Sequence, residues 1–218
     1  MKEISKFFEY GNKHNPQYLV IMLHGYGSNG NDLISLAPEL ARSIDIDCHF
    51  IAPNAPNHLV NPFSTDSYQW FELGNNNPDI LYPQIIEANN ILDKFIAEKL
   101  DKANLGYDKL IFTGFSQGAM MSVYNAMRLK NKCAGVISFS GRLISPIDLS
   151  ENINSKPDIC LIHGDKDDVL PINYFFEAKK YLEKLDFNFE HHEIKNLGHS
   201  IDFASLKRAQ NFLRKIIS

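Results

Sequence analysis

One serine in the chain stands between glycines in a way that suits nucleophilic chemistry. The run Gly114-Phe115-Ser116-Gln117-Gly118 is a Gly-x-Ser-x-Gly box. An apolar stretch at 109–113 leads into it, and a helical pattern over 116–129 leads out. That strand–turn–helix context is what a nucleophile elbow requires. The glycines flank the serine because so tight a turn leaves no room for a Cβ beside it. The hydroxyl is then held at the carboxyl end of a sheet, and the positive end of the following helix favours developing negative charge. A serine hydroxyl is a weak nucleophile at neutral pH, so it needs a base, and the base needs an orienting carboxylate.

With this kind of elbow the chain order is Ser, then Asp or Glu, then His. Of the eight histidines, His14, His24, His49 and His58 precede Ser116 and are excluded by that order. His163 closes an apolar strand, and His191 and His192 sit inside another. His199 remains, in Asn196-Leu197-Gly198-His199-Ser200, a loop between the last strand and the last helix, where catalytic groups are commonly carried. The carboxylate belongs after the strand at 159–163, where the chain reads Gly164-Asp165-Lys166-Asp167-Asp168-Val169-Leu170-Pro171. Any of the three aspartates can serve, and the others are ordinary turn formers.

The rest of the chain must position these groups. Short apolar runs alternate with amphipathic ones, the pattern of helices wrapped on a mostly parallel sheet. Strands are expected at 4–10 (an edge), 18–24, 49–52, 109–113, 134–139, 159–163 and 187–194. Helices are expected at 32–43, from 81 to about 100, and at 116–129, 174–185 and 203–217. This reads as an α/β protein with a mostly parallel twisted sheet of about seven strands and helices on both faces. The segment 53–80, with Pro53, Pro56, Pro62, Pro78 and Asn75-Asn76-Asn77, is the longest irregular one, and long loops inside compact domains are usually functional. No linker breaks the 218 residues, so residues 1–218 are expected to form one domain with a pocket-covering loop at 53–80.

Composition narrows the function. Hydrophobic residues are 44% and charged residues 22% of the chain, enough apolar surface to offset the entropy of ordering. Lys and Arg number 22 against 26 Asp and Glu, a net charge of −4, and no basic run is longer than two residues. That argues against nucleic acid as a partner, because such a surface needs a basic stripe. Cys48, Cys133 and Cys160 fit neither a disulfide framework nor a zinc pattern, and no metal or other cofactor is implied. The start of the chain has no apolar stretch of signal-peptide length, and Leu19-Val20-Ile21-Met22-Leu23 is far too short to span a membrane. The expected location is cytoplasmic.

Four segments in this order carry a resemblance: Leu23-His24-Gly25-Tyr26-Gly27, Gly114-Phe115-Ser116-Gln117-Gly118-Ala119, His163-Gly164-Asp165-Lys166-Asp167-Asp168-Val169-Leu170-Pro171 and Gly198-His199-Ser200. Together they resemble the α/β-hydrolase phospholipase/carboxylesterase family, which includes acyl-protein thioesterases and lysophospholipases. The resemblance implies the α/β-hydrolase fold, Ser116 as nucleophile, His199 as base and Asp167, four residues before the proline, as orienter. It implies an oxyanion hole made by the backbone N–H groups of Tyr26 and Gln117, with Tyr26 standing where the family more often has Leu. Gln69-Trp70-Phe71 resembles the family's Ser-Trp-Phe segment, which places Trp70 and Phe71 at an acyl pocket. Phe63, Tyr68 and Tyr82 in and beside the long loop would add apolar surface.

The expected activity is hydrolysis of carboxylic esters or thioesters through an acyl-enzyme. The substrate is a small-molecule or lipid acyl ester or thioester, or an acylated protein. Other readings of the same fold are an acyltransferase, a peptidase, or a binding module whose triad has decayed. The last expects a substituted Ser, Asp or His, and none is missing.

Overall fold

The computed structural model describes residues 2–60, 66–74, 77–144 and 152–217. Phe63, Asn75 and Asn76, singled out above, lie outside the described residues. The main sheet has seven strands in the order β1 (Phe7–Gly11), β3 (Cys48–Pro53), β2 (Tyr18–Leu23), β6 (Leu110–Phe115), β7 (Gly135–Phe139), β8 (Ile159–Gly164) and β9 (Phe189–Ile194). Only β1 runs antiparallel to its neighbour, and β1 is an edge strand as expected. The inner strands are buried on both faces, so they read as continuous apolar runs rather than alternating ones. In β2, Leu19, Ile21 and Leu23 face one core while Val20 and Met22 face the other.

Helices cover both faces. On one side lie α3 (Pro78–Ala103), α4 (Gln117–Arg128) and α5 (Asn173–Lys184). On the other lie α1 (Gly30–Ile34), α2 (Ala37–Ala41) and α6 (Phe203–Ile216). The single helix expected at 32–43 is therefore two short ones. Pro38 has no N–H to continue the ladder. The chain tightens instead, with Ser35 and Leu36 N–H groups donating three residues back to Asp32 and Leu33, and restarts with Pro38 in the first turn. Helix α3 begins at Pro78, earlier than the apolar spacing suggests, because the Asn77 side chain accepts the Asp79 N–H as an N-cap. Helix α4 is buried from Gln117 to Met127. It lies across β2, β6 and β7 and beneath α3, so its sequence has no wet face.

The stretch 53–80 is not wholly irregular. Two-residue strands β4 (Asn57–His58) and β5 (Tyr68–Gln69) pair antiparallel, and their outer end reaches back to the loop after β2.

Glycines set how closely β2, β6 and α4 approach. A Cβ on Gly118 would run into the Leu23 carbonyl and lie 2.6 Å from the His24 carbonyl oxygen. A Cβ on Gly114 would collide with Gly118 and lie 2.7 Å from the Ala119 nitrogen. All of these neighbours are main chain and cannot swing aside. Gly118→Ala is therefore expected to destabilise the protein by about 3 kcal/mol or more. Gly198→Ala, whose Cβ would meet nothing nearer than the Lys166 carbonyl oxygen at 3.8 Å, should change stability by less than about 0.5 kcal/mol. Paired denaturant melts check this, and equal midpoints would remove the close approach as a constraint.

Candidate active site

The turn from β6 into α4 places Ser116 at φ 53° and ψ −118°, a region that costs a non-glycine residue roughly 1–3 kcal/mol. Two main-chain bonds hold it there. The Ser116 N–H donates to the Phe139 carbonyl at 2.9 Å, and its own carbonyl accepts the Met120 N–H at 3.1 Å. The carbon skeleton of Gly25 passes close by, since a Cβ there would lie 3.4 Å from Ser116 Cβ. The loop after β2 thus runs beside the serine.

The three aspartates after β8 separate cleanly. Asp167 has a fully buried side chain, and its Oδ2 lies 2.7 Å from His199 Nδ1. Its Oδ1 accepts the Val169 and Leu170 N–H groups at 3.0 and 2.7 Å. Asp165 instead accepts the Asn196 N–H at 2.6 Å and so fastens the His199 loop. Asp168 is exposed. The two loops cross at Gly164, where a Cβ would strike the Leu197 carbonyl and come within 2.7 Å of the Gly198 carbonyl oxygen. The His199 ring packs on Phe115, the residue before the serine, with centroids 4.8 Å apart. A carboxylate on Nδ1 fixes the tautomer that leaves Nε2 free to accept a proton.

The expected oxyanion donors have a matching environment. Among the described residues, neither the Tyr26 nor the Gln117 N–H has an acceptor. Gln117 opens α4, so its N–H belongs to the unsatisfied first turn. Tyr26 keeps its ring at the surface, 44% exposed. Its loop is fixed by partners that the sequence motifs do not announce. The Gly27 N–H donates to the Tyr68 carbonyl (2.9 Å) and the Tyr68 N–H to the Ser28 carbonyl (3.0 Å). The Gly30 N–H donates to Asn54 Oδ1 at 2.8 Å.

His24, set aside by chain order, proves to be a strut. Its Nδ1 donates to the Gly25 carbonyl (2.7 Å) and its Nε2 accepts the Ala55 N–H (3.0 Å). Burial pushes its pKa down to about 4.

Trp70 and Phe71, the residues expected at an acyl pocket, are 0% and 1% exposed, with both rings packed in the core. The Gln117 side chain holds their main chain. Its Oε1 accepts the Trp70 N–H (2.8 Å) and its Nε2 donates to the Phe71 carbonyl (2.8 Å), drawing both residues into the core. The indole N–H donates to the His24 carbonyl at 3.0 Å. Tyr68 packs edge-on against His58 and His24, and Tyr82 packs against the α3 side of the core. Apolar surface beside the base comes from elsewhere. A cavity of about 260 Å³ is lined by Leu33, Leu36, Phe115, Ile201 and His199, with Asp32, Ser35 and Ser200 at its edge.

The described residues contain one cluster of metal-binding types, Cys160, Glu190 and His192, with ligand atoms within 4.8 Å of one another. Lys215 already occupies Glu190 at 2.7 Å and lowers its pKa, while burial raises that of the Cys160 thiol. The group is wired as an ion pair beside a protonated thiol. Cys48 and Cys133 are likewise buried, free thiols.

A family model described as Phospholipase/Carboxylesterase matches residues 9–217. The chain is 29% identical over 212 residues to acyl-protein thioesterase 1 of Kluyveromyces lactis, covering 91% of this chain and 92% of that one. It is 27% identical over 209 residues to acyl-protein thioesterase 1 homolog 1 of Dictyostelium discoideum, covering 91% and 90%. Among solved structures, esterase PE8 superposes with a TM-score of 0.87 at 37% identity, covering 97% of this chain and 99% of that chain. Acyl-protein thioesterase 2 of Zea mays shares the fold with a TM-score of 0.76 at 20% identity, over 98% and 99% of the two chains.

The His24 environment makes stability depend on pH. An unfolded chain takes up a proton on this imidazole below its ordinary 6.5, whereas the folded chain resists until about 4. The folded state therefore loses stability as pH falls through that window. The loss is about 2 kcal/mol at pH 5, or roughly 4–8 °C in the melting midpoint for a chain of this size. His49 and His163 are lowered by burial too and act in the same direction. Thermal melts at pH 7 and pH 5 check this, and a midpoint that does not fall would mean these rings are not held neutral.

Proposed function

The chain belongs to the phospholipase/carboxylesterase family of α/β-hydrolases and is a serine ester hydrolase, and on that premise we propose that Ser116, His199 and Asp167 form its catalytic triad. The observation that carries the assignment is the 2.7 Å bond from His199 Nδ1 to the buried Asp167 carboxylate, beside a serine held in a strained turn.

In this reading the Ser116 hydroxyl attacks the acyl carbonyl carbon while His199 Nε2 takes its proton. The carbonyl oxygen becomes an oxyanion and accepts the Tyr26 and Gln117 N–H groups, each such donor being worth about 3 kcal/mol in the transition state. His199 then gives the proton to the departing alcohol or thiol, and the acyl group stays on Ser116. Water enters, gives a proton to His199 as it attacks the acyl carbon, and the acid leaves as the Ser116 Oγ–acyl bond breaks and His199 returns the proton to Oγ. Asp167 keeps the imidazole oriented and supports its positive charge without taking the proton itself.

The substrate is a carboxylic ester or thioester. The names of the fungal and slime-mould relatives favour an S-acylated protein, whose thiolate leaves more readily than an alkoxide. The acyl or leaving group meets the apolar cavity beside His199, where each methylene removed from water adds about 0.8 kcal/mol. The whole chain acts as one hydrolase domain. Three buried free thiols suit a reducing, cytoplasmic setting, and no described helix is long and apolar enough to cross a membrane.

Ser116→Ala is expected to lower turnover by about 10⁶ while leaving the thermal melt unchanged or slightly higher. A fluorophosphonate probe should label the native chain once and the variant not at all, and labelling of the variant would move the nucleophile elsewhere. Asp167→Asn is expected to cost up to about 10⁴ in turnover by favouring the wrong tautomer. Asp168→Asn, at an exposed side chain, should cost less than about threefold. Steady-state hydrolysis of an acyl thioester by the two variants decides the register.

A further inference from the structure

We infer that His163 is a positioning residue: a second imidazole that faces the Asp167 carboxylate together with His199 and, by holding the Leu170 carbonyl, fixes its direction. The inference rests on the triad reading above. His163 closes β8, and its side chain is 2% exposed. Its Nε2 lies 2.8 Å from the Leu170 carbonyl oxygen and 3.3 Å from Asp167 Oδ2. A carbonyl oxygen has no proton to give, so Nε2 carries the hydrogen. That one N–H donates to the Leu170 carbonyl, and this bond sets the ring with Nε2 facing Asp167 Oδ2.

The carboxylate is thereby enclosed. Oδ1 takes the Val169 and Leu170 N–H groups, and Oδ2 faces His199 Nδ1 and, at 3.3 Å, His163 Nε2. Three of these approaches are hydrogen bonds, so the carboxylate cannot rotate without breaking them, and the imidazole of His163 stands against its remaining side. Because His163 also holds the Leu170 carbonyl, it ties the far end of the Asp167 turn back to the sheet.

Neutrality is part of the role. The titratable groups that act on His163 are Asp167 and His199. From α5 it meets the ring of Phe175, with centroids 5.9 Å apart, and His191 of β9 lies beyond that ring. Burial is the largest influence and lowers its pKa, the Leu170 bond and the Asp167 charge oppose this, and His199 lowers it further. A lysine or arginine in this place would donate as well, but its charge would oppose the imidazolium that forms on His199 during each turnover. A neutral donor steadies the carboxylate without that repulsion.

Two variants separate positioning from mere packing. His163→Leu fills the space without a donor. His163→Gln returns an N–H near the position of Nε2. Hydrolysis of p-nitrophenyl acetate is followed against pH, with a thermal melt of each variant. The Leu variant should lose roughly ten- to a hundredfold in kcat, with KM changed less than about threefold. The acid limb of its kcat/KM profile should move up by about half a pH unit, because a carboxylate that no longer faces the polar imidazole of His163 holds the His199 proton more firmly. The Gln variant should return the limb to its native place. An unmoved limb in the Leu variant, or loss in both variants that follows only their melting points, overturns the inference.

A measurement on the native chain needs no variant to fold. Nitrogen-15 correlation spectra of the imidazoles at neutral pH should show His163 as the Nε2–H tautomer, the form that the Leu170 carbonyl requires. The Nδ1–H tautomer would overturn the assignment. Absence of fluorophosphonate labelling at Ser116 would instead remove the triad reading, so the two failures are distinct.

Discussion

Helix α4 comes so close to the end of β2 that main chain touches main chain at Gly118, Leu23 and His24. Everything at the site is referred to that contact. It brings the first turn of α4, with its unpaired N–H groups, against the loop that leaves β2, so two backbone donors from distant parts of the chain meet beside one serine. It also forces the turn at Ser116, because a strand and a helix joined so tightly leave the residue between them a positive φ. The nucleophile is strained by the same packing that assembles its surroundings, and the buried mass of α4 holds the strain in place.

Around the contact, polar side chains serve as main-chain adhesives. His24, Asn54, Gln117 and Trp70 are all buried, and each bonds to a backbone group of a neighbouring segment. A loop that keeps its donors free for a ligand cannot satisfy itself with its own hydrogen bonds, so its rigidity comes from outside. The Asp167 turn follows the same rule, held by its own N–H groups, by His199 on the carboxylate and by His163 on the Leu170 carbonyl.

The strands were legible in the sequence because a strand covered on both faces is a short apolar run with few alternatives. The elbow and the order of Ser116 and His199 were legible because glycine spacing and chain order leave physical traces. Among the three aspartates the residues themselves left the choice open, since no local property of Asp165 or Asp168 excluded them, and only the resemblance pointed to Asp167. The break between α1 and α2 was visible in principle at Pro38, but the apolar spacing continues through it. Trp70 was placed at a pocket on the strength of resemblance, and its burial follows from the Gln117 side chain, 47 residues away. No pattern within a segment reports a bond of that range. His24 was set aside by chain order and His163 by its place at the end of a strand, and neither says what a histidine does instead of serving as the base.

Gln117 leaves its backbone N–H without an acceptor among the described residues and turns its amide to the main chain of Trp70 and Phe71. An amide that grips only backbone is indifferent to which side chains the gripped residues bear. The path of this segment is thus fixed by one partner while the identity of Phe71 is left open to packing alone. Such an arrangement separates two kinds of inheritance. Descendants of this chain can rework the segment's side chains, and with them the packing of the core they enter, while the track on which those side chains are mounted stays where it is.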